Sequence, residues 1–402
     1  MTKLDELIQE LCPDGVQFLR IPELFIMRNG YTPSKANSEF WENGTIPWFR
    51  MEDIRANGRI LTEATQCVSK KAVKGRVFPE NSIIVATSAT IGEHALIKVP
   101  SLANQRFTYL VLKDEFKSSV DMMFIFYYCF KLDEYCKTHL NQGNFASVDM
   151  KQFAEFHFPV PPLPVQREIV RILDNFTELT AELTAELTAR KQQYAYYRDK
   201  LLADSKTVPQ IKLSELCDIG DGLHGTPIYD DNGQYYFING NNLSNGTITL
   251  SPQTKRIARD EYEKIKLPFS DTVLLSINGT IGNVAVYGGE NIALGKSVAY
   301  FNIRSENLFC KYLFYVLQSS RSVEYFRKNS TGTTIKNLGL STLRDYQIPL
   351  PSLEIQKRIV EVLDNFDAIC TDLNIGLPAE IEARLKQYEY YRDKLLTFTP
   401  AD

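Results

Sequence analysis

The feature that most limits how this chain can fold is a duplication. Residues 159–176, PVPPLPVQREIVRILDNF, return at 349–366 as PLPSLEIQKRIVEVLDNF, 190 residues further on. A second landmark, KQQYAYYRDKLL ending at Leu202, returns as KQYEYYRDKLL ending at Leu396, an offset of 194. Weaker echoes join Ala89-Thr90-Ile91-Gly92 to Gly279-Thr280-Ile281-Gly282, and Val16–Leu24 to Val208–Leu216. A period this long is no solenoid. It describes a unit made of one globular block and one long helix, present twice.

The helices follow from apolar spacing. Ile169, Leu173, Phe176, Leu179, Leu183 and Leu187 fall three or four apart, and Tyr194, Tyr197 and Leu201 resume the stripe. In the second copy the stripe runs Ile355, Ile359, Leu363, Phe366, Ile369 and Leu373, then Leu377, Ile381, Leu385, Tyr388, Tyr391 and Leu395. Seams of that length predict two helices of about 60 Å packed as a coiled coil. Proline clusters precede both, where proline is tolerated in a first turn. Gly376-Leu377-Pro378 predicts a kink or break in the second helix only. Each helix follows a block of similar size, so the pair is expected to lie antiparallel with one block at each end.

The globular blocks carry a different pattern. Short β-rich runs, Ser82–Thr87 and Thr272–Ile277 among them, alternate with Asn-Gly turns at 29, 43, 57, 232, 239, 245 and 278. These predict hairpins and a mixed sheet. Aromatic-rich stretches at Met122–Tyr135 and Phe309–Gln318 predict buried helices closing each block. The fold class is therefore α+β: two similar, β-rich domains (1–160 and 205–350) separated by two long antiparallel helices (161–204 and 351–402), with an internal pseudo-two-fold repeat.

Composition removes several function classes. The longest apolar run, Met122 to Phe130, is about half a bilayer crossing. The N-terminus is charged and amphipathic, unlike a secretory signal, and the seven cysteines are scattered with no C-x-x-C, which suits a reducing cytoplasm. Net charge is −4, yet residues 50–106 hold 9 basic against 5 acidic groups and residues 255–344 hold 13 against 7. Such stretches suit a polyanion and equally suit a solvated surface.

No catalytic constellation emerges. The four histidines lack metal-ligand spacing, and no nucleophile elbow or zinc-deaminase signature is present. Gly289-ENIAL-Gly295-Lys296-Ser297 has five residues between its glycines where a phosphate loop has four, and SVAYFNI after it reads as a strand. What remains is polar loop chemistry in both blocks. Ser88, Thr90, Asn104, Gln105 and Arg106 cluster near strand ends in the first; Asn239, Asn241, Asn242, Asn278, Thr280, Lys296 and Ser297 do so in the second. Amides and guanidinium groups can pair bidentately with adenine and guanine edges. Lys70, Lys71, Lys74 and Arg76, and Lys255, Arg256 and Arg259, suit phosphates. His224, in GDGLHGTP, sits where Gly/Pro turns expose side chains, and either a base contact or loop packing accounts for it.

The duplicated P-L-P…Q-[RK]-x-I-V-x-x-L-D-N-F and [KQ]-Q-Y-x-Y-Y-R-D-K-L-L segments, with the tandem TAEL TAEL at Thr180–Leu187, resemble the specificity subunit of type I restriction-modification systems, its IC subgroup in particular. The resemblance implies two target-recognition domains, each reading half of a split site in double-stranded DNA. It implies that the helices, at positions such as Thr180, Leu183, Leu187, Tyr197, Leu363, Phe366 and Tyr391, set the separation and dock two adenine-N6 methyltransferase (modification) subunits. Two ATP-dependent restriction subunits would join that core. No cofactor would belong to this chain; S-adenosylmethionine, ATP and magnesium would sit in the partners. In that subgroup the TAEL copy number sets the unread spacer, two copies going with the shorter one. The competing expectations are a coiled-coil scaffold without DNA readout and a nucleotide-binding enzyme.

Overall fold

The computed structural model describes all residues except 1, 142–145, 204–207, 245, 268–270, 373 and 402. The turn at Asn245, the seam position Leu373 and the domain boundary at 204/205 therefore lie outside the described residues. The chain divides into two compact units. One comprises Met1–Thr180 with Arg384–Asp402, the other Ala181–Ala383. The end of the chain thus returns to its beginning: Val16 bridges Pro400, and Lys131 Nζ donates to the Leu396 carbonyl at 2.7 Å.

In the first unit the central sheet has five strands, in the order Phe25–Asn29, Phe107–Leu112, Ser82–Ala86, His94–Ile97, Ile60–Leu61. A three-stranded sheet, Cys67–Val68, Ile46–Phe49 and Leu102–Ala103, stands beside it. The second unit repeats the plan. Its four-stranded sheet runs Cys217–Asp221, Val298–Ile303, Thr272–Ser276, Val284–Val286, and its three-stranded sheet runs Arg256–Ile257, Tyr235–Ile238, Ile292–Leu294. Ser82–Ala86 and Thr272–Ser276 are buried along their whole length, because both faces of these central strands are covered. The aromatic helices form as expected, at Met122–Thr138 and Cys310–Gln318. The Val16–Leu24 echo is real as structure. Phe18–Arg20 pairs with His157–Pro159 as Gln210–Lys212 pairs with Gln347–Pro349, so each unit's first strand closes on the segment leading into its long helix.

The first long helix is continuous over Leu163–Leu201, with 39 residues or about 58 Å, and Pro164 sits in its first turn. Its TAEL stretch joins three strong helix formers to one weak one, threonine. The hydroxyls of Thr177, Thr180 and Thr188 bond back to the carbonyls four residues earlier. The second copy is two helices, Leu353–Thr371 and Leu377–Leu395, of 19 residues each. The break falls at the expected Gly376-Leu377-Pro378, and it divides the second copy into two helices of about 28 Å each. A side chain at Gly376 would strike the Ala368 and Asp372 carbonyls, and Pro378 occupies a first turn.

The seam is also narrower than its spacing suggested. Ile169, Leu173, Ile359 and Leu363 are buried against their domains, and Leu183 and Leu187 are half-buried. Ile355, Ile369, Leu385 and Leu201 are exposed. A helix with one helical neighbour covers only a narrow stripe, and residues stepping by three or four drift off it. Within the first unit Phe176 stacks on Tyr391 at 5.5 Å. Within the second, Tyr197 stacks on Phe366 at 5.7 Å while Arg190 and Lys191 approach Cys370, so those segments run antiparallel. A smaller correction concerns Asn57-Gly58, which ends the helix Met51–Asn57 with a positive φ at the glycine instead of turning a hairpin.

Candidate nucleic-acid interface

One end of each three-stranded sheet gathers polar side chains. In the second unit Tyr235–Ile238 runs parallel to Ile292–Leu294, and both strands finish beside each other at Asn239 and Gly295-Lys296-Ser297. Ser297 Oγ receives the Gly240 N–H at 2.9 Å and donates to Asn239 Oδ1 at 3.1 Å. A Cβ at Gly295 would sit 2.3 Å from that same Oδ1, so only glycine admits this packing. Lys296 N–H bonds to the Leu223 carbonyl at 3.0 Å, which brings the loop carrying His224 alongside. His224 Nε2 donates to Asp221 Oδ2 at 2.8 Å and is largely exposed.

The first unit builds the same corner from different residues. Ile46–Phe49 runs parallel to Leu102–Ala103 and leads into Arg50, while Asn104-Gln105-Arg106 continues the other strand. Tyr31 N–H bonds to the Ala103 carbonyl at 2.8 Å, and Thr32 Oγ1 donates to Gln105 Oε1. A cavity of about 280 Å³ opens here, lined by Thr32, Lys35, Trp48, Arg50, Gln105 and Arg106 among others. Thr32, Lys35 and Arg50 were not singled out in the sequence. The duplication carried the signal, since Arg50 follows Trp48-Phe49 as Asn239 follows Phe237-Ile238.

A second cluster lies on the hairpin loops. Ser88 bridges Ser147, and Thr90 N–H bonds to the Ser88 carbonyl across Ala89, whose φ is +66°. Asn278 bridges Asn337 and donates through Nδ2 to Asn337 Oδ1 at 3.2 Å; next to it, Thr280 follows Gly279, whose N–H reaches the Lys336 carbonyl. Residues 331–337 around that contact are all exposed.

Several of the other proposed contacts have internal duties. Asn242 Oδ1 accepts the Asn239 N–H and its Nδ2 donates to the Thr249 carbonyl, while its neighbour Asn241 stays exposed. Asn104 Oδ1 accepts the Arg106 N–H. Lys71 pairs with Glu39 at 3.0 Å, so the basic run that has no acid in sequence meets one in space. Lys74 lies over the Tyr31 ring, and Lys70 and Arg76 are exposed. Arg256 donates to Tyr236 Oη at 2.9 Å and lies over its ring, and Lys255 lies over Tyr229. Gly295-Lys296-Ser297 joins two strands, so no helix N-terminus stands behind it for a phosphate. On the helices Thr180, Leu183 and Leu187 are half-buried, Leu363 and Phe366 pack, and Tyr197 and Tyr391 are more than one-third exposed. Among the described residues no three His, Cys, Asp or Glu side chains converge as a metal site, and no helix is long and apolar enough to cross a membrane.

Residues 13–190 and 206–383 each match the family described as type I restriction modification DNA specificity domain. The Escherichia coli type I restriction enzyme EcoprrI specificity subunit is 40% identical over 383 residues, covering 90% of either chain. The Escherichia coli EcoR124I/EcoR124II specificity subunit is 35% identical over 252 residues, 60% of this chain and 61% of that one. A chain solved in work on complex assembly and conformational transition of the type I R-M system shares the fold, with a TM-score of 0.68 over 96% of this chain and 98% of that one, at 19% identity. The HsdS subunit from Thermoanaerobacter tengcongensis gives 0.53 over 96% and 97%, at 18% identity. Two repeated α+β units joined through long helices carry the two matches to this specificity domain. The chain belongs to the specificity-subunit family of type I restriction-modification systems.

Proposed function

We propose that this chain reads a split site in double-stranded DNA, one half through each unit, and carries two methyltransferase subunits on its helices. Blocks 1–160 and 205–350 act as target-recognition domains, and segments 161–204 and 351–402 as the spacer between them. One observation supports this most: the same polar corner is built twice on the same strand ends, from side chains that differ. A scaffold has no use for that, whereas a reader of two unlike half-sites needs it. The chain supplies geometry and no chemistry of its own. Methyl transfer from S-adenosylmethionine, and ATP- and magnesium-dependent restriction by two further subunits, belong to the partners. Two readers on a stiff rod engage two DNA segments only at one separation and phase. In a labelled-methyl assay the purified chain alone transfers nothing, while its complex with the methyltransferase subunit modifies adenines in a two-part motif. Methyl transfer by the chain alone, or a one-part motif from the complex, contradicts the reading.

A further inference from the structure

Arg50 and Asn239 occupy one structural position with two different side chains. Their backbones agree closely, with φ −133° and ψ 173° at Arg50 and φ −125° and ψ 178° at Asn239. Both are held by the residue three further on, which accepts the backbone N–H: Asp53 Oδ2 at 2.7 Å and Asn242 Oδ1 at 2.9 Å. A scaffold that fixes the main chain and leaves the side chain free to vary is what a specificity position requires.

The side chains are also poised for a ligand. Among the described residues Arg50 finds no hydrogen-bond partner for its guanidinium: Nε is buried and unpartnered, and the nearest acid oxygen, on Glu52, is 3.9 Å away. The group is steadied by the Trp48 ring, 5.7 Å from its centre, at the wall of the cavity shared with Arg106. Unmade bonds on a half-buried cation are costly, and a pre-positioned fork loses little freedom on binding. The fork offers donors only. Guanine presents two acceptors, O6 and N7, in the major groove, whereas adenine sets an amine beside its N7. Asn239 offers a mixed pattern of one donor and one acceptor. The relay from Gly240 N–H through Ser297 to Oδ1 orients its amide, which sets Nδ2 as a donor beside the Oδ1 acceptor. That pair matches adenine N7 and N6.

We infer that Arg50 reads a guanine in the half-site of the first unit, and that Asn239, its counterpart, reads an adenine in the other half. This rests on the split-site reading above, and the test separates the two. The wild-type, Arg50→Ala, Arg50→Lys and Asn239→Ala chains are each produced with their methyltransferase subunit in a host free of adenine methylation, and methylated adenines are mapped. The Arg50→Ala motif is expected to lose its preference at one G·C pair, by about 10- to 100-fold, with the other half unchanged. Arg50→Lys keeps charge but not the fork and relaxes the same pair. Asn239→Ala relaxes one A·T pair in the opposite half. An unchanged motif for Arg50→Ala, or methylation weakened equally at all sequences as for a phosphate contact, overturns the inference and leaves the split-site reading standing. Absence of any two-part motif for the wild type defeats that reading itself. If Arg50→Ala abolishes methylation, the wild-type complex decides on DNA with 7-deazaguanine, which lacks only the N7 acceptor. Loss at one guanine of the first half-site supports the inference, and indifference at every guanine refutes it.

Discussion

Glu168, at the foot of the first long helix, is 5% exposed, accepts Arg171 through both oxygens at 2.7 and 3.1 Å, and accepts Lys3 at 2.9 Å. Arg171 foremost, then Lys3, holds its carboxyl down at about 2, against about 4.5 for a free glutamate. A depressed acid favours the fold above its unfolded value and loses that contribution as pH falls through the folded one. Glu168→Gln is therefore expected to cost about 1–2 kcal/mol at neutral pH, since both cations stay largely in solvent. Thermal melts of the two forms should draw together as pH falls from 4.5 through 2, and a gap that stays at its neutral-pH size at pH 2 would assign the loss to packing. Nothing in the sequence marks this triad, because Lys3 lies 165 residues from its partner. The same holds for His94, buried with its Nδ1 2.8 Å from Asp133 Oδ2 and Arg59 on the same oxygen at 2.9 Å. Burial foremost lowers the His94 imidazole below its ordinary value, against the opposing pull of Asp133. Side chains at strand ends were legible in kind, as amides and cations, but their internal bonds were not: Asn242 and Asn241 are equivalent on paper and differ in space.

Among the elements, the duplicated motif explains itself through the joints it builds. Gln166 is fully buried; its Oε1 accepts the Asp121 N–H, and its Nε2 donates to the Ser119 and Pro161 carbonyls. Gln356 repeats this with Phe309, Asn307 and Pro351. Farther along, Tyr127 donates to Asp174 and Tyr315 to Asp364. The shared Q-x-x-I-V and L-D-N-F strings are therefore clamps fastening each long helix to its domain, and the glutamine and aspartate that make these bonds are the same in both copies. That is why helices and repeat were legible while the sheets between them were known only as strands and turns. The rod itself is testable. Deleting or duplicating Thr184–Leu187 moves the far end of the helix by ~6 Å and turns it by roughly 40°, keeping the apolar stripe that runs through Leu179 and Leu183 close to one face. The methylated motif should change its spacer by about one base pair, with both halves intact. A single glycine inserted there rotates the face by about 100° and weakens the helix by ~1 kcal/mol, so it should reduce methylation instead. An unaltered spacer in the four-residue variants would show that the helix is not the ruler.

At the scale of the whole molecule, each half of the sequence is interleaved with the other. The first unit is completed by residues 384–402, with Leu396 in its core, and the second by the end of the first long helix, where Asp199 accepts Ser320 N–H and Leu202 is buried. The repeated Y-Y-R-D-K-L-L string is thus a plug that fits either domain, which its presence in both copies foreshadowed and its destination did not. It follows that block 1–160 can be exchanged for the corresponding block of a relative without rebuilding the rod, provided the new block receives the same plug. The central claim is that each unit reads its own half-site. Sequencing the methylated adenines made by the chimaera, beside those made by the parent, tests it most directly. The account predicts that one half of the motif changes while the other half and the spacer stay as they were. Alteration of both halves, or of neither, would contradict it.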